Sequence, residues 1–403
     1  MIAILQKFQN RWLILAAMFV MNICIGSLLS WSVYQKPLID LFGWSTSATS
    51  LNFSIMIFIE SLAMIVGGKL QSRLGAQRLM FIGGIVYSVG VIATGFTNSL
   101  LFLYTTYGVL GGIGVGLIYG TSIANGVKWF PDKRGLASGL VVAGFGLGSM
   151  IDAPLSNALI EQYGVLTTFK ILGVAYFLLI SAASWWVTEA PANYRPASWR
   201  PSTIRSNQGT DKDWQEMLRD PIFYSIWITY AAACTSGLMI IGHASPIIQE
   251  VIGLDAGTAA IAVSIMALSN MVGRVAWGSI SDRLGQYFTL VTMLVLSAMM
   301  MVIINYVHSF GTFLAVIMVI AVCYGGFLAI FPALTANLFG SKNLSTNYGL
   351  VFTAFGIAAF IGPHLAARVK EINNGDYTVA FIMAALINTI AIVLTVHVRH
   401  KLT

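Results

Sequence analysis

Stretches of about twenty predominantly apolar residues recur along the whole chain, and no other feature restricts the fold as strongly. A helix of about 20 residues crosses a hydrocarbon core about 30 Å thick. A helix also satisfies its own backbone hydrogen bonds where no water is available. An all-α membrane protein with twelve transmembrane helices is therefore predicted. The twelve runs are 12–33, 47–67, 77–97, 101–126, 135–157, 167–187, 222–243, 257–280, 287–306, 311–338, 347–367 and 377–397.

The composition excludes several other classes of protein. Charged residues are 9% and apolar residues 57% of the 403 positions, whereas soluble domains have roughly 25% and 45–50%. Little chain is left for a soluble catalytic domain, and the five His are scattered, so neither an enzyme nor a metal site is expected. The runs "GGIGVG" and "AGFGLG" lack the Gly-Lys-Ser/Thr ending of phosphate loops, so no nucleotide or other cofactor is expected.

Positive charge is distributed unevenly between the loops. Seventeen of the 22 Lys and Arg residues fall on the side that holds both termini, four fall on the other side, and Arg274 lies within a helix. Because cytoplasmic loops retain Lys and Arg, both termini are expected in the cytoplasm. The net charge of +7 follows from this topology and does not indicate a nucleic-acid partner. The three Cys lie within helices, so no disulfide is expected.

The chain contains an internal repeat. At an offset of 210 residues, "SRLG" at 72–75 falls on "DRLG" at 282–285, and Phe145 falls on Phe355. Each copy holds six helices, and an even number means that the copies run in the same direction through the membrane. The expected parts are an N-terminal six-helix bundle, a cytoplasmic linker and a C-terminal six-helix bundle, at 1–187, 188–220 and 221–403.

Two loops carry a family signature. "GKLQSRLG" (68–75) and "GSISDRLG" (278–285) resemble the Gly-x-x-x-Asp-Arg-x-Gly-like loop of the major facilitator superfamily, with Ser72 in place of the acid in the first copy. The resemblance covers nearly the whole chain and implies the major facilitator fold, with transport by alternating access. It further implies that Arg73, Asp282 and Arg283 gate the cytoplasmic face. The alternative is that the basic residues of these loops only set the topology.

A narrower resemblance rests on longer segments. "GVGLIYGTSIANGVKWFPDKRGLASGLVVAGFGLGS" (114–149), "MLRDPIFYSIW" (217–227), "NMVGR" (270–274) and "NLFGSKNLSTNYGLVFTAFGIA" (337–358) are similar to the oxalate:formate antiporter branch, which is close to the monocarboxylate transporters. This resemblance implies a carrier of small carboxylates in the bacterial inner membrane. We expect the chain to work in the lipid bilayer as a monomer.

Arg274 stands in a run otherwise made of apolar and small residues. An Arg near the middle of a membrane helix costs roughly 2.5–3.5 kcal/mol, so it should face the bundle interior and have a partner. Its guanidinium matches a carboxylate in bidentate fashion, which predicts a binding site for a small organic anion. Asn270 lies four residues earlier on the same face and could bind the anion too. Neutralisation of Arg274 by an intramembrane acid is the alternative.

Glu60 falls at the position equivalent to Asn270 in the repeat, and it is the only acid that we place near the middle of a membrane span. Asp152 and His364 are placed near the outer ends of the fifth and eleventh helices. With Glu60 and Arg274 ionised, the empty site is neutral, and one monoanion plus one proton on Glu60 restores neutrality. This predicts a proton-coupling role for Glu60. The alternative is that Glu60 stays ionised beside a helix terminus or interhelical donors.

Several further residues are candidates for the substrate pocket. In the family that the chain resembles, a Leu of the first helix and a Tyr of the fourth contact substrate, which implies these roles for Leu28 and Tyr119. The oxalate-transporting members have a Lys in the eleventh helix where this chain has Phe355, which leaves one interior cation and favours a monocarboxylate. Position alone adds Tyr324, and also Asn22, Trp31 and Phe327.

The predicted function is secondary transport of a small monocarboxylate such as lactate, pyruvate or formate, with a proton. Exchange of oxalate, formate or another carboxylate is the alternative within transport. A non-transporting membrane sensor for carboxylates is a remote alternative, and a membrane-embedded enzyme would need a cluster of catalytic residues that the sequence lacks.

Overall fold

The computed structural model describes residues 10–191, 194–196, 211–250, 256–307, 309–373 and 376–402. Throughout these ranges the regular structure is helical. Twelve helices are long and apolar enough to cross a membrane, as predicted. We number them α1 Arg11–Phe42, α2 Thr46–Leu74, α3 Ala76–Thr94, α4 Leu100–Trp129, α5 Arg134–Tyr163, α6 Val165–Ser184, α7 Pro221–Glu250, α8 Ala256–Leu284, α9 Gln286–Ile303, α10 Phe310–Phe339, α11 Leu344–Ile372 and α12 Thr378–Leu402.

Two of these helices contain irregular segments. The segment Gly26–Ser30 of α1 is a 3-10 helix, and Tyr104–Gly111 of α4 is a π-helix. α1 also runs nine residues beyond the predicted span, to Phe42. An ion pair of 2.7 Å between Lys36 and Asp40, one turn apart, supports this exposed extension.

Glycine ends α2 and α8 at equivalent places in the repeat. Gly75 has φ +77° and Gly285 has φ +86°, a conformation that L side chains rarely adopt. Each residue stops one helix and starts the next, so the signature loops are tight turns between α2 and α3 and between α8 and α9.

The described part of the linker contains one short helix, Trp214–Arg219. Asp213 caps its first turn, and Glu216 completes a capping box. Lys212 makes an ion pair with Asp220 at 2.6 Å. Much of the linker lies outside the described residues, and its bounds stay a prediction.

The chain forms two compact units, Met1–Asp132 with Leu140–Pro201 and Ser341–Leu350, and Lys133–Gly139 with Ser202–Gly340 and Val351–Thr403. In the first unit, glycines of α4 at four-residue spacing pack against α2. They are Gly108, Gly112, Gly116 and Gly120.

The second unit has an apolar core of side chains from α7 to α12. It includes Ile240, Met266, Ile317 and Phe381. Cys24 in the first unit and Cys234 and Cys323 in the second are buried free thiols, in agreement with the predicted absence of disulfides.

Candidate functional site

Arg274 lies in α8 and is only 5% exposed. Of the Lys, Arg and His residues that the structure describes, it alone is buried. Its Nε donates a hydrogen bond of 3.0 Å to Oδ1 of Asn270, one turn earlier. The Asn270 Nδ2 donates to the backbone oxygen of Ala321 on α10 at 3.4 Å. Asn270 therefore holds the guanidinium, and α10 holds Asn270.

The backbones of α8 and α10 touch at this point. A Cβ at Gly325 would lie 2.0 Å from the Asn270 carbonyl oxygen, and a Cβ at Gly273 would lie 2.1 Å from that of Val322. Glycine is required at both positions because each obstacle is a backbone atom, which cannot move aside. The close approach fixes Asn270, and through it the direction of the Arg274 side chain.

The other candidates of the second unit lie on α10 and α11. Tyr324 is buried beside Gly237 of α7, where a Cβ would meet the tyrosine ring at 2.4 Å. Phe327 is buried one turn further along α10. Phe355 is half-buried and stacks on Phe352, with ring centroids 5.0 Å apart. α11 thus carries an aromatic pair at this position.

Glu60 lies in α2 of the first unit and is 3% exposed. Within the described ranges, its carboxyl group has neither a hydrogen-bond nor an ion-pair partner. The Glu60 carbonyl oxygen lies against α4, where a Cβ at Gly116 would approach it to 2.4 Å. Glu60 is thus a buried acid of α2, and among the described residues no interhelical donor holds its carboxyl group.

The remaining candidates of the first unit are buried as well. The ring of Tyr119 packs against Phe145, with centroids 5.0 Å apart, and Leu28 lies in the 3-10 segment of α1. Asn22 donates to the backbone oxygen of Met18 at 2.7 Å, and its own Oδ1 has no hydrogen-bond partner in the part of the chain that the structure describes. The indole Nε1 of Trp31 is likewise unpartnered. Such groups suit a polar substrate, since buried polar atoms are rarely left unsatisfied.

The signature loop of the second unit contacts the first turn of α5. The two carboxylate oxygens of Asp282 accept hydrogen bonds from the backbone N–H groups of Gly135 and Leu136, each 2.8 Å long. An acid at a helix N-terminus satisfies orphan donors and meets the positive end of the helix dipole. Arg283 is exposed.

The signature loop of the first unit approaches the first turn of α11 in the same way but without a carboxylate. A Cβ at Gly68 would meet the backbone nitrogen of Thr346 at 2.2 Å. Ser72, which replaces the acid, donates to the Lys69 carbonyl oxygen in its own helix at 2.7 Å. Arg73 is exposed.

Sequence reasoning misplaced Asp152. It was expected near the outer end of the fifth helix, but it lies eleven residues before the last residue of α5 and is 4% exposed. Glu60 and Asp152 are thus the two buried acids among the described residues. Tyr34 of α1 and Tyr176 of α6 both donate hydrogen bonds to the Asp152 carboxylate. Tyrosines facing an acid within apolar runs were the available signal, but their pairing depends on the fold.

Comparison with protein families and curated proteins gives a consistent result. The family model described as Major Facilitator Superfamily matches residues 11–363 and 237–402. An uncharacterized MFS-type transporter of Escherichia coli, YhjX, is 31% identical over 87% of this chain and 86% of its own length. The oxalate:formate antiporter of Oxalobacter formigenes is 30% identical, covering 96% and 91%. Monocarboxylate transporter 12 of Rattus norvegicus is 24% identical, covering 92% and 82%.

Among solved structures, the transporter FucP in its outward conformation matches with a TM-score of 0.73. The match is 15% identical in sequence and covers 97% of this chain and 99% of FucP. At this level of identity the likeness concerns the fold, and it confirms the predicted arrangement of twelve helices.

Proposed function

We propose that this chain, which belongs to the Major Facilitator Superfamily, carries a small monocarboxylate across the membrane together with a proton. The family and its fold are those of transporters, not of enzymes. The observation that carries the proposal is the buried guanidinium of Arg274, held by Asn270 at 3.0 Å. A fixed, permanently charged donor inside a membrane helix is suited to select a carboxylate.

The number of buried cations supports a monoanion. Arg274 is the single buried basic residue in the described ranges, and α11 places Phe355 against Phe352. A dianion next to one guanidinium would keep an uncompensated charge in a medium of low dielectric constant, which is costly. Lactate, pyruvate and formate are the substrates that fit this charge. Tyr324 is proposed as a substrate contact in the second unit, and Leu28 and Tyr119 are proposed as substrate contacts in the first.

Glu60 is proposed to carry the coupled proton. Its carboxyl group is buried without a partner among the described residues, so its ionised form is unfavourable unless another charge comes near. One monoanion bound at Arg274 and one proton bound at Glu60 add no net charge to the protein. Transport of both in the same direction would therefore avoid moving net charge through the low-dielectric interior.

Exchange of carboxylates is a second candidate, and one observation favours it. The relative with 30% identity over 96% of this chain is named an oxalate:formate antiporter. An exchanger would use the same Arg274, but it would change back to its starting conformation only with an anion bound. Glu60 would then have no role in coupling. The two candidates differ in their response to a proton gradient.

Gating and orientation complete the proposal. We assign the gating role to Asp282, which binds the first turn of α5, with Arg73 and Arg283 as basic companions in the signature loops.

The multi-pass chain would lie in the bacterial inner membrane with both termini in the cytoplasm and would function as a monomer. Its halves would be 1–187 and 221–403, joined by the linker 188–220.

Uptake into proteoliposomes tests the proposal. Radiolabelled L-lactate is supplied with and without an inward proton gradient to wild type, Arg274→Ala, Arg274→Lys and the control Arg368→Ala, whose side chain is exposed on α11. We expect gradient-stimulated uptake, competed by pyruvate and formate. Loss of Arg274 should reduce uptake about 100-fold, the effect of removing one partner of a buried charge pair. Lysine should restore little, because it lacks the bidentate fork.

The same experiment separates the two candidates. Uptake that ignores the proton gradient but accelerates when vesicles are preloaded with oxalate or formate would replace symport by exchange. Uptake that is equal in Arg274→Ala and wild type would refute anion selection by Arg274 in either mechanism. Arg368→Ala should behave as wild type throughout.

A further inference from the structure

The side chains around Asp152 form a buried polar cluster in the first unit. Oδ2 of Asp152 accepts a hydrogen bond of 2.8 Å from the Tyr34 hydroxyl, and Oδ1 accepts one from the Tyr176 hydroxyl. The Tyr34 hydroxyl also lies 2.6 Å from Oγ of Ser156, one turn further along α5. The cluster therefore joins α1, α5 and α6 through one carboxyl group.

No cation balances this acid within the described residues. The titratable groups that face Asp152 are all tyrosines: Tyr34 on α1, Tyr87 on α3, Tyr107 on α4 and Tyr176 on α6. A permanently ionised carboxylate without a counter-ion is expensive inside a membrane. A permanently protonated one would not need donors on both oxygens. The surroundings thus fit a group that changes its charge.

The hydrogen-bond chain from Asp152 through Tyr34 to Ser156 can run in either direction. When Asp152 is ionised, Tyr34 donates to Oδ2 and Ser156 donates to Tyr34. When a proton binds Oδ2, Asp152 donates to the Tyr34 oxygen, and Tyr34 donates to Ser156. Each hydroxyl is both donor and acceptor, so both charge states keep their hydrogen bonds. Only one proton is added, and no covalent bond other than the new O–H forms or breaks.

The helices that this chain links are in direct backbone contact. A Cβ at Gly26 would lie 2.0 Å from the Phe145 carbonyl oxygen, and a Cβ at Gly148 would lie 2.2 Å from that of Ile23. Gly26 begins the 3-10 segment of α1, which also holds the pocket candidate Leu28. Reversal of the hydrogen bonds at Tyr34 changes how α5 holds α1 just beyond this segment.

We propose that Asp152 is a second proton-binding site of the transporter, and that its protonation state sets the hydrogen bonds by which α5 holds α1 and α6. The effect on transport rests on the proposed function, whereas proton binding itself requires no substrate. The two can therefore fail separately.

The test is infrared difference spectroscopy of the purified full-length protein in liposomes, titrated with pH in the absence of any carboxylate. We expect several protonated-carboxyl bands to grow on acidification, among them one that is lost in Asp152→Asn and persists in Glu60→Gln; this band is assigned to Asp152. Tyr34→Phe and Tyr176→Phe each remove a donor from the carboxylate. Both should move the midpoint of this band upward by about 1 pH unit, because a hydrogen bond to the charged carboxylate is stronger than one to the neutral acid.

Tyr104→Phe is the matched control, because its hydroxyl donates to the Ala48 carbonyl oxygen at 2.7 Å and does not touch Asp152. Its titration should equal that of wild type. The proposal is overturned if Asp152→Asn leaves all the bands unchanged or if Glu60→Gln removes the same band that Asp152→Asn removes. If Asp152→Asn does not fold, the tyrosine variants decide, and an unshifted midpoint in both overturns the proposal. A correct titration with no lactate uptake would leave proton binding intact and count against the proposed function alone.

Discussion

Two helix crossings occupy nearly equivalent places in the repeat, with an offset of 210 residues on α2 and α8 and of 209 residues on α4 and α10, and they differ in chemistry. α2 crosses α4 where the carbonyl oxygen of Glu60 meets Gly116, and α8 crosses α10 where that of Asn270 meets Gly325. The backbones make the same close approach in both units. The Glu60 carboxyl lacks a partner among the described residues, whereas Asn270 receives a hydrogen bond from Arg274.

The two halves of the repeat share the close backbone contact, and they differ in the polar side chain that lies beside it. Glycine at a crossing allows the two helices to approach closely, whichever polar side chain lies there. The first unit places the acid Glu60 at this contact, and the second places the base Arg274 one turn from it. Under our proposal, one half thus provides the proton site and the other the anion site, without a change in backbone architecture.

The largest effect is expected from adding a methyl group to a glycine at a crossing. Gly325→Ala and Gly116→Ala would place a Cβ 2.0 Å and 2.4 Å from a backbone oxygen. We expect each to destabilise the protein by about 1–3 kcal/mol or more, because the backbone cannot yield. Gly356→Ala is the control, since a Cβ there meets no atom within 4 Å. Melting temperatures in detergent check the ranking, and an equal effect at all three glycines would contradict it.

The next effect concerns the side chain that distinguishes the second crossing. Asn270→Ala leaves Arg274 without the oxygen that holds its Nε, so the guanidinium loses its direction. We expect lactate to bind about tenfold more weakly, the loss of one hydrogen bond to a charged group. Ser269→Ala is the control, because within the described ranges the Ser269 hydroxyl bonds only to the Ile265 carbonyl oxygen of its own helix. Equal affinities in both variants, measured by competition for uptake, would remove Asn270 from the site.

The fold was more predictable than the site. Hydropathy and the repeat predicted twelve helices, because the bilayer requires long apolar segments whatever their neighbours. The burial of Arg274 and Glu60 followed from the cost of a charge in hydrocarbon. The hydrogen bond between Arg274 and Asn270 depends on the side-chain conformation of Arg274. The contacts of Asp152 depend on Tyr34 and Tyr176 converging on it from two other helices. Such contacts depend on tertiary packing, which no local pattern encodes.

A smaller effect tests the acid of the first crossing. Glu60→Gln mimics the protonated carboxyl at every pH, so the coupled proton can neither bind nor leave. We expect lactate exchange to continue while stimulation by a proton gradient disappears, a change of a few-fold in uptake. Glu161→Gln, at an exposed acid of α5, serves as the control. Gradient-driven uptake that survives in Glu60→Gln would exclude Glu60 as the proton carrier and reduce the difference between the two crossings to one of packing.

The smallest effect extends the comparison to the signature loops. Asp282 accepts hydrogen bonds from two backbone N–H groups of α5. Ser72, at the equivalent position, accepts none from α11 and instead donates to the Lys69 carbonyl oxygen. Asp282→Ala should lower stability by about 0.5–2 kcal/mol, the value of a helix-capping interaction. Ser72→Asp should raise it by a similar amount if its carboxylate reaches the first turn of α11, where Oγ of Ser345 is buried and has no hydrogen-bond partner among the described residues. Melting temperatures of both variants and of the double variant measure this. Because a gate must open, Ser72→Asp should also slow uptake, and a variant that is more stable yet no slower would show that this loop stabilises the fold without gating it.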